Sequence, residues 1–230
     1  QRAGAGVQSD LSIRGSTFGQ TLVLLNGIRI NDVQTGHHNM DIPVPLDSVE
    51  RIEVLRGSGS TLYGSDAVGG VVNVITKKPE ASEFRIGAGI GNFGVNQQHA
   101  TATWMNDRLS QHFTFSRDFS TGFAPDRDYR NLSLVSDSFV TTKLRTTEVL
   151  LAHNDKPYGA DQFYGNYNSW ERTKTWYAAV RQPLGEKTET FFAFRRHSDL
   201  FVLYRDRPAL FTNRHLGESY NGGIRRRETL

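Results

Sequence analysis

From Phe84 onward, apolar and polar side chains alternate with a period of two, and the links between the alternating runs are short and long in turn. Phe84, Ile86, Ala88 and Ile90 share one face; Arg85, Gly87, Gly89 and Gly91 share the other. Ala100, Ala102 and Trp104 alternate with Thr101 and Thr103, and Phe113 and Phe115 with His112, Thr114 and Ser116. Trp176, Ala178 and Val180 alternate with Tyr177, Ala179 and Arg181, while Phe192 and Phe194 oppose Glu189, Arg195, His197 and Asp199. Such a period with one apolar face is a half-buried strand. Tight links lie at 105–108, near Arg145-Thr146 and at 183–187; long polar ones span about Asp118–Arg130, Asp155–Trp170 and Leu200–Gly217. That rhythm is the signature of an outer-membrane barrel, with short periplasmic turns and long extracellular loops. A soluble β-sandwich explains the alternation equally well but gives no reason to lengthen every second link. The pattern predicts roughly eight strands.

No stretch approaches the ~20 apolar residues of a membrane-spanning helix. Strands of ~9–11 residues cross a bilayer with only alternate side chains in lipid, so they look polar on average. The 22 Gly, 14 Phe and 8 Tyr among 230 residues permit that architecture without demanding it. There are no cysteines, which excludes a disulfide framework and thiolate metal sites. The net charge of +3 is spread along the chain, and its longest basic run is Arg225–Arg227, so no nucleic-acid footprint is visible. The chain starts at Gln1 without a signal peptide and runs on to Leu230 without a stop signal, so both ends read as cut from something longer.

The first 80 residues read differently, as a compact mixed α/β segment rich in glycine. Leu22–Leu25, then Asn26-Gly27, then Ile28-Arg29-Ile30 is a hairpin signal, because a type I′ turn needs positive φ at both central residues. Asp47–Glu50 offers a helix start with an acidic first turn. Ile52–Leu55 and Val71–Thr76 read as strands, and Lys77-Lys78-Pro79 closes the segment. Enzyme signatures are not matched. Gly57-Ser58-Gly59 follows a strand, but no Lys follows Gly64 and position 62 is Leu. Neither a GxSxG elbow nor HExxH occurs.

Five motifs stand in order: Asp10–Gly15 (DLSIRG), Val23–Ile30 (VLLNGIRI), Ile42–Val44, Val49–Gly57 (VERIEVLRG) and Tyr63–Thr76 (YGSDAVGGVVNVIT). The series resembles the plug domain of TonB-dependent outer-membrane receptors, and its last member is similar to that of vitamin B12 receptors and their relatives. The likeness continues less densely at Asp155–Gly165 and Phe194–Leu203. It implies a mixed α/β plug over residues 1–80, followed over 81–230 by the first antiparallel transmembrane strands of a 22-stranded β-barrel, a class in which the lumen is plugged.

The resemblance also implies a function. Such a receptor binds a scarce nutrient chelate, a ferric siderophore or cobalamin, at the outer membrane of a Gram-negative bacterium and passes it to the periplasm. Energy arrives through TonB and the inner-membrane ExbB-ExbD motor, pulling on an N-terminal TonB box expected before Gln1; further strands are expected after Leu230. Outer-membrane lipid and the small-molecule substrate are the other partners; the protein would be a monomer without a cofactor and not an enzyme. Alternatives of the same fold are a receptor for carbohydrate or another solute, and a signalling or adhesion protein without transport.

Site residues follow from the same likeness. Ligand-binding candidates are Arg14 after the IRG motif, Gln34, His37, His38 and Asn39 in one loop, and Ser60 and Tyr63 in another. Arg14, Glu50, Arg51, Glu53 and Arg56 are expected to hold the plug to the barrel wall by ion pairs, the plainer alternative being local surface pairs of little energy. Gly15, Gly27, Gly57, Gly64, Gly69 and Gly70 are expected to serve backbone geometry. Adjacent His37 and His38 point apart in an extended segment, with no acidic ligand spaced to help, so no metal site is expected there. Asp118, Asp126 and Asp128 in one long link are calcium candidates, against the commoner reading of solvated loop charges.

Overall fold

In the computed structural model, which describes residues 8–228, the Asn26-Gly27 turn forms as its sequence requires, with φ of 50° and 76°. It joins β1 (Thr21–Leu25) to β2 (Ile28–Arg29). β3 (Val49–Arg56) and β4 (Gly70–Thr76) complete a four-stranded sheet in the order β2-β1-β4-β3. β1 runs parallel to β4 and is buried on both faces, which is why it reads as an unbroken apolar run rather than an alternation. Gly70 starts β4 where a Cβ would lie 2.5 Å from the Leu55 carbonyl oxygen, so the close approach of β3 requires glycine there.

The helical share is smaller than the sequence suggests. A single α-turn, α1 (Ser60–Tyr63), and a few 3-10 turns are the helical elements of the described residues. The helix start expected at Asp47–Glu50 is a 3-10 turn over Leu46–Ser48 that runs directly into β3. Val49, Ile52 and Val54 are β-branched, and a ladder on β4 offers them partners that an isolated helical turn lacks.

The second sheet has eight antiparallel strands in sequence order. They are β5 (Glu83–Gly91), β6 (Val95–Met105), β7 (Leu109–Ser120), β8 (Tyr129–Thr141), β9 (Thr146–Asp161), β10 (Asn168–Leu184), β11 (Thr188–Val202) and β12 (Thr212–Arg226). The long links shrink to 121–128, 162–167 and 203–211, and the first link at their end of the sheet, 92–94, is as short as the turns opposite. Much of what reads as polar loop is strand. Asp155, Lys156 and Pro157 pair with Lys174, Thr173 and Arg172 of β10, and Arg172 holds Asp155 through two hydrogen bonds of 2.8 and 2.6 Å. Charge complementarity across the ladder carries these strands past the point where their apolar pattern fades.

The faces of this sheet are inverted relative to a water-soluble protein. The apolar positions are the exposed ones: Ile86 is 73% exposed, Trp176 55% and Phe192 55%. The alternating polar positions, among them Thr101, His112, Thr114, Thr175, Arg195, His197 and Asp199, are buried. An apolar outer face matches hydrocarbon rather than water. The buried polar face is covered by the four-stranded sheet. Val23 and Leu25 of β1 pack with Leu150, Ala152, Tyr177 and Ala179 of the eight-stranded wall, while Leu22 and Leu24 pack on the far side with Ala67 and Val71.

A charge placed on the outer face tests this orientation. Phe192→Arg in the full-length protein is expected to lower stability in lipid vesicles by about 2–4 kcal/mol if the position is near the bilayer midplane. The inward Ser219→Arg should cost less in the same urea titration.

Candidate functional site

The segment from Asn31 to Asp41 is pinned by its own side chains. Asn31 closes on β1, its Oδ1 accepting from the Val23 N–H at 2.7 Å and its amide donating to the Thr21 carbonyl at 3.1 Å. Asp32 Oδ1 accepts from the N–H groups of Gln34 (2.8 Å) and Thr35 (3.2 Å). Asn39 Oδ1 accepts from the Asp32 N–H at 2.9 Å, and Thr35 caps the 3-10 turn Gly36–His38. These local bonds leave Asp32 Oδ2, His38 and Asp41 aimed at the wall.

There they meet buried counter-charges. Arg195 Nη1 donates to Asp32 Oδ2 at 2.6 Å, and Lys156 donates to Asp41 Oδ1. The His197 ring lies between the two carboxylates, Nδ1 3.1 Å from Asp32 Oδ2 and Nε2 3.2 Å from Asp41 Oδ2. Burial pushes the Asp41 carboxyl up, but the Lys156 ammonium, a hydrogen bond from His197 and the nearby His38 ring outweigh it and hold the group well below the usual carboxylate range. Asp32 is likewise lowered against its burial, by His197 and Arg195. His38 turns Nδ1 toward Asp41 Oδ2 and Nε2 toward Glu171 Oε1 of β10, each at 3.5 Å. At the opposite end of β1 the hairpin tip is gripped by the wall. Asn26 donates to Glu148 Oε1 at 2.9 Å, Arg181 donates to the Asn26 carbonyl, and Arg225 donates to that of Gly27.

A cavity of about 390 Å³ opens above this seam at the long-link end. Gln34, His37 and His38 from the pinned segment line it with Glu171, Asp199 and His215 of the wall, and Phe201 and Phe211 supply apolar surface. Three of the sequence-selected ligand candidates therefore converge. Asn39 lies beside them but is spent on holding the loop. His37 is held by Asp10 at 2.7 Å and packs on Phe18. Ser60 and Tyr63 leave from the same end of the four-stranded sheet but do not line this cavity, and neither does Arg14, which lies beside Gly57.

The ion pairs to the wall are not the expected ones. Arg51 pairs with Glu50 (2.6 Å) and Glu53 (2.9 Å) on its own strand, about half exposed, the local arrangement worth little energy. Arg14 and Arg56 make no ion pair to the wall among the described residues. Strand β3 is an edge of its sheet; Glu50 and Arg51 line a cavity with Glu83, Arg85 and Glu148 of the wall, yet Arg51 pairs within its own strand. Asp126 and Asp128 are not free for calcium: Arg205 of the 203–211 link reaches both, holding Asp128 through both carboxylate oxygens. Asp118 sits apart in β7, across from Gln97. Of the acidic neighbours of His38, Asp41 is three residues on in sequence, whereas Glu171 and Asp199 come from distant strands that spacing does not reveal.

The family model described as "TonB-dependent Receptor Plug Domain" matches residues 1–71. The chain is 42% identical over 95 residues to "Vitamin B12 transporter BtuB" of Photobacterium profundum, covering 41% of this chain and 16% of that protein. It is 49% identical over 84 residues to "Iron-regulated outer membrane virulence protein" of Vibrio cholerae, covering 34% of this chain and 13% of that one. Among solved structures, the ferric citrate transporter FecA superposes with a TM-score of 0.66 at 18% identity, over 94% of this chain and 37% of FecA. The copper transporter OprC superposes with a TM-score of 0.69 at 14% identity, over 96% of this chain and 38% of OprC. The chain thus spans well under half the length of each of these four proteins.

Asp32→Asn leaves Arg195 buried without its anion and is expected to cost about 3–5 kcal/mol. Because the folded-state value of Asp32 is depressed, its contribution is complete above the unfolded carboxylate value of about 4 and is lost as pH falls through the lower folded value. Denaturation of wild type and variant, with a probe in residues 31–41, should give a difference that does not shrink from pH 8 to pH 5 and narrows only below about pH 4. A difference that already fades at pH 6 would contradict the assignment.

Proposed function

We propose that this chain, which is part of a TonB-dependent receptor, takes up a scarce nutrient at the outer membrane as a metal chelate or corrin and passes it to the periplasm. The reading rests on one observation above the others. The apolar face of the strands is outward, and their polar face is sealed by a separate small sheet through buried ion pairs. A wall that is dry outside and plugged inside is a gated passage. Relatives named as a vitamin B12 transporter and an iron-regulated outer-membrane protein favour cobalamin or a ferric siderophore as cargo.

In this reading the short turns face the periplasm, the long links face outward, and cargo enters the cavity lined by Gln34, His37 and His38. Further strands between the unpaired edges of β5 and β12 would close the wall around the plug and cover Ile52 and Val54, which are half exposed on β3. Residues 1–80 then act as plug and 81–230 as the first part of the wall. The plug must be displaced against the seam, and TonB with the ExbB-ExbD motor would supply that work through a TonB box. The receptor would act as a monomer embedded in outer-membrane lipid.

Uptake by cells carrying the full-length gene, with labelled cobalamin and ferric chelates, tests this directly. Accumulation of one cargo with TonB and none without it is expected. Equal accumulation in both backgrounds would reject energised transport.

A further inference from the structure

Among the described residues, two of the buried carboxyl groups at the seam have no ammonium or guanidinium group in ion-pair contact. Asp32 and Asp41 are met by Arg195 and Lys156. Glu171 and Asp199 are equally buried, at 2% and 5% exposure, yet the basic groups in ion-pair contact with them among the described residues are the imidazoles of His38 and His215. Two carboxyl groups close together in a dry site are costly to ionise together, and a bound cation would relieve that cost. Both line the cavity, and so do both imidazoles.

The arrangement around them prepares three atoms for one ligand. Tyr158 and Tyr164 both donate to Glu171 Oε2, at 2.5 and 2.8 Å, which leaves Oε1 toward His38. His215 Nδ1 engages Asp199 Oδ2 at 3.0 Å, which leaves Oδ1 buried and without a hydrogen-bond partner. His38 directs Nδ1 to the Asp41 carboxylate, which leaves Nε2 toward Glu171 at 3.5 Å. A carboxylate behind a histidine and phenols behind a carboxylate are the supporting contacts that orient metal ligands. One donor atom each from His38, Glu171 and Asp199 lies within 4.8 Å of the others. Donors at ~2.1 Å from a tetrahedral ion are about 3.4 Å apart, so modest side-chain rotation closes the set.

We propose that His38, Glu171 and Asp199 bind a divalent transition cation of the zinc class, linking the small sheet to the wall. One imidazole nitrogen with two carboxylate oxygens suits a borderline ion; calcium would draw on oxygen ligands alone. Three protein ligands with the fourth side open to the cavity is the form of an exchangeable site rather than a closed structural one. The inference goes beyond the transport reading, since binding needs neither TonB nor a chelate.

The test uses the full-length receptor, purified in detergent, stripped with a chelator and titrated calorimetrically with Zn²⁺ and, separately, with Ca²⁺. Wild type is expected to bind one more Zn²⁺ equivalent than Asp199→Asn or Glu171→Gln, or to bind it at least about 10–100-fold more tightly. His99→Asn, altering a part-exposed ring on β6 outside the cavity, should bind as wild type does, and Ca²⁺ should not compete. Identical Zn²⁺ isotherms for wild type and both isosteric variants would overturn the proposal, as would displacement of Zn²⁺ by equimolar Ca²⁺. Should the variants fail to fold, the melting temperature of wild type decides: a rise with Zn²⁺ that Ca²⁺ does not give supports the site, and no shift at saturating Zn²⁺ removes it. A receptor that binds Zn²⁺ but shows no TonB-dependent uptake would refute the transport reading alone. One that transports but ignores Zn²⁺ would refute this inference alone.

Discussion

Asp32 and Asp41 leave water only because a different part of the chain supplies their counter-charges. Lys156 and Arg195 lie more than a hundred residues away and approach from β9 and β11. Neither side of the seam is tolerable alone: an unpaired guanidinium or carboxylate in a site this dry costs several kcal/mol. The small sheet and the wall are therefore bound to one another by a penalty for separation more than by a gain on contact. Surrounding apolar packing, with Val23 and Leu25 against Leu150 and Tyr177, keeps water out and maintains that penalty.

The same reasoning says how such a seam opens. A buried pair is hard to break while dry, but each partner regains hydration once water reaches it, so the cost falls steeply after the first displacement. Segment 31–41 carries both acidic partners on one pinned loop, so moving that loop exposes Asp32 and Asp41 together. The grip at the other end differs in kind. Arg181 and Arg225 hold the backbone carbonyls of the Asn26-Gly27 turn, charge-assisted contacts whose acceptors are uncharged and placed by the turn's shape. A pull on the small sheet thus meets two resistances, one between paired side-chain charges and one set by the turn's shape.

Much of this architecture was legible in the sequence, and the parts that were not share a cause. The Asn26-Gly27 turn, the strands around Ile52–Leu55 and Val71–Thr76, and the outward faces of β5, β7, β10 and β11 are local patterns, and local patterns survive into the fold. The polar stretch around Asp155–Tyr158 reads as loop because its strand character comes from ion pairing with Arg172, a residue of the next strand. The expected helix at Asp47 gave way to a ladder on β4, a partner some twenty residues on in sequence. The motifs point for the seam to Arg14, Glu50, Arg51, Glu53 and Arg56, whereas Asp32 and Asp41 lie between motifs, and Lys156 and Arg195 fall in the sparser likeness of the wall, where nothing local says which charge each one meets.

The pair His37-His38 shows how far adjacency misleads. Consecutive side chains on an extended or tightly turned segment diverge, and here His37 goes to Asp10 and Phe18 while His38 goes inward to Asp41 and Glu171. Their chemistry is set by what each meets after divergence. His37 remains a half-buried wall of the cavity, whereas His38 stands between a carboxylate balanced by Lys156 and a carboxylate balanced by no ammonium or guanidinium among the described residues. One imidazole therefore touches both the pairs that hold the small sheet in place and the excess negative charge that faces the cavity. Only that single ring separates the carboxyl group at the cavity from the Asp41–Lys156 pair, with contacts of 3.5 Å on either side.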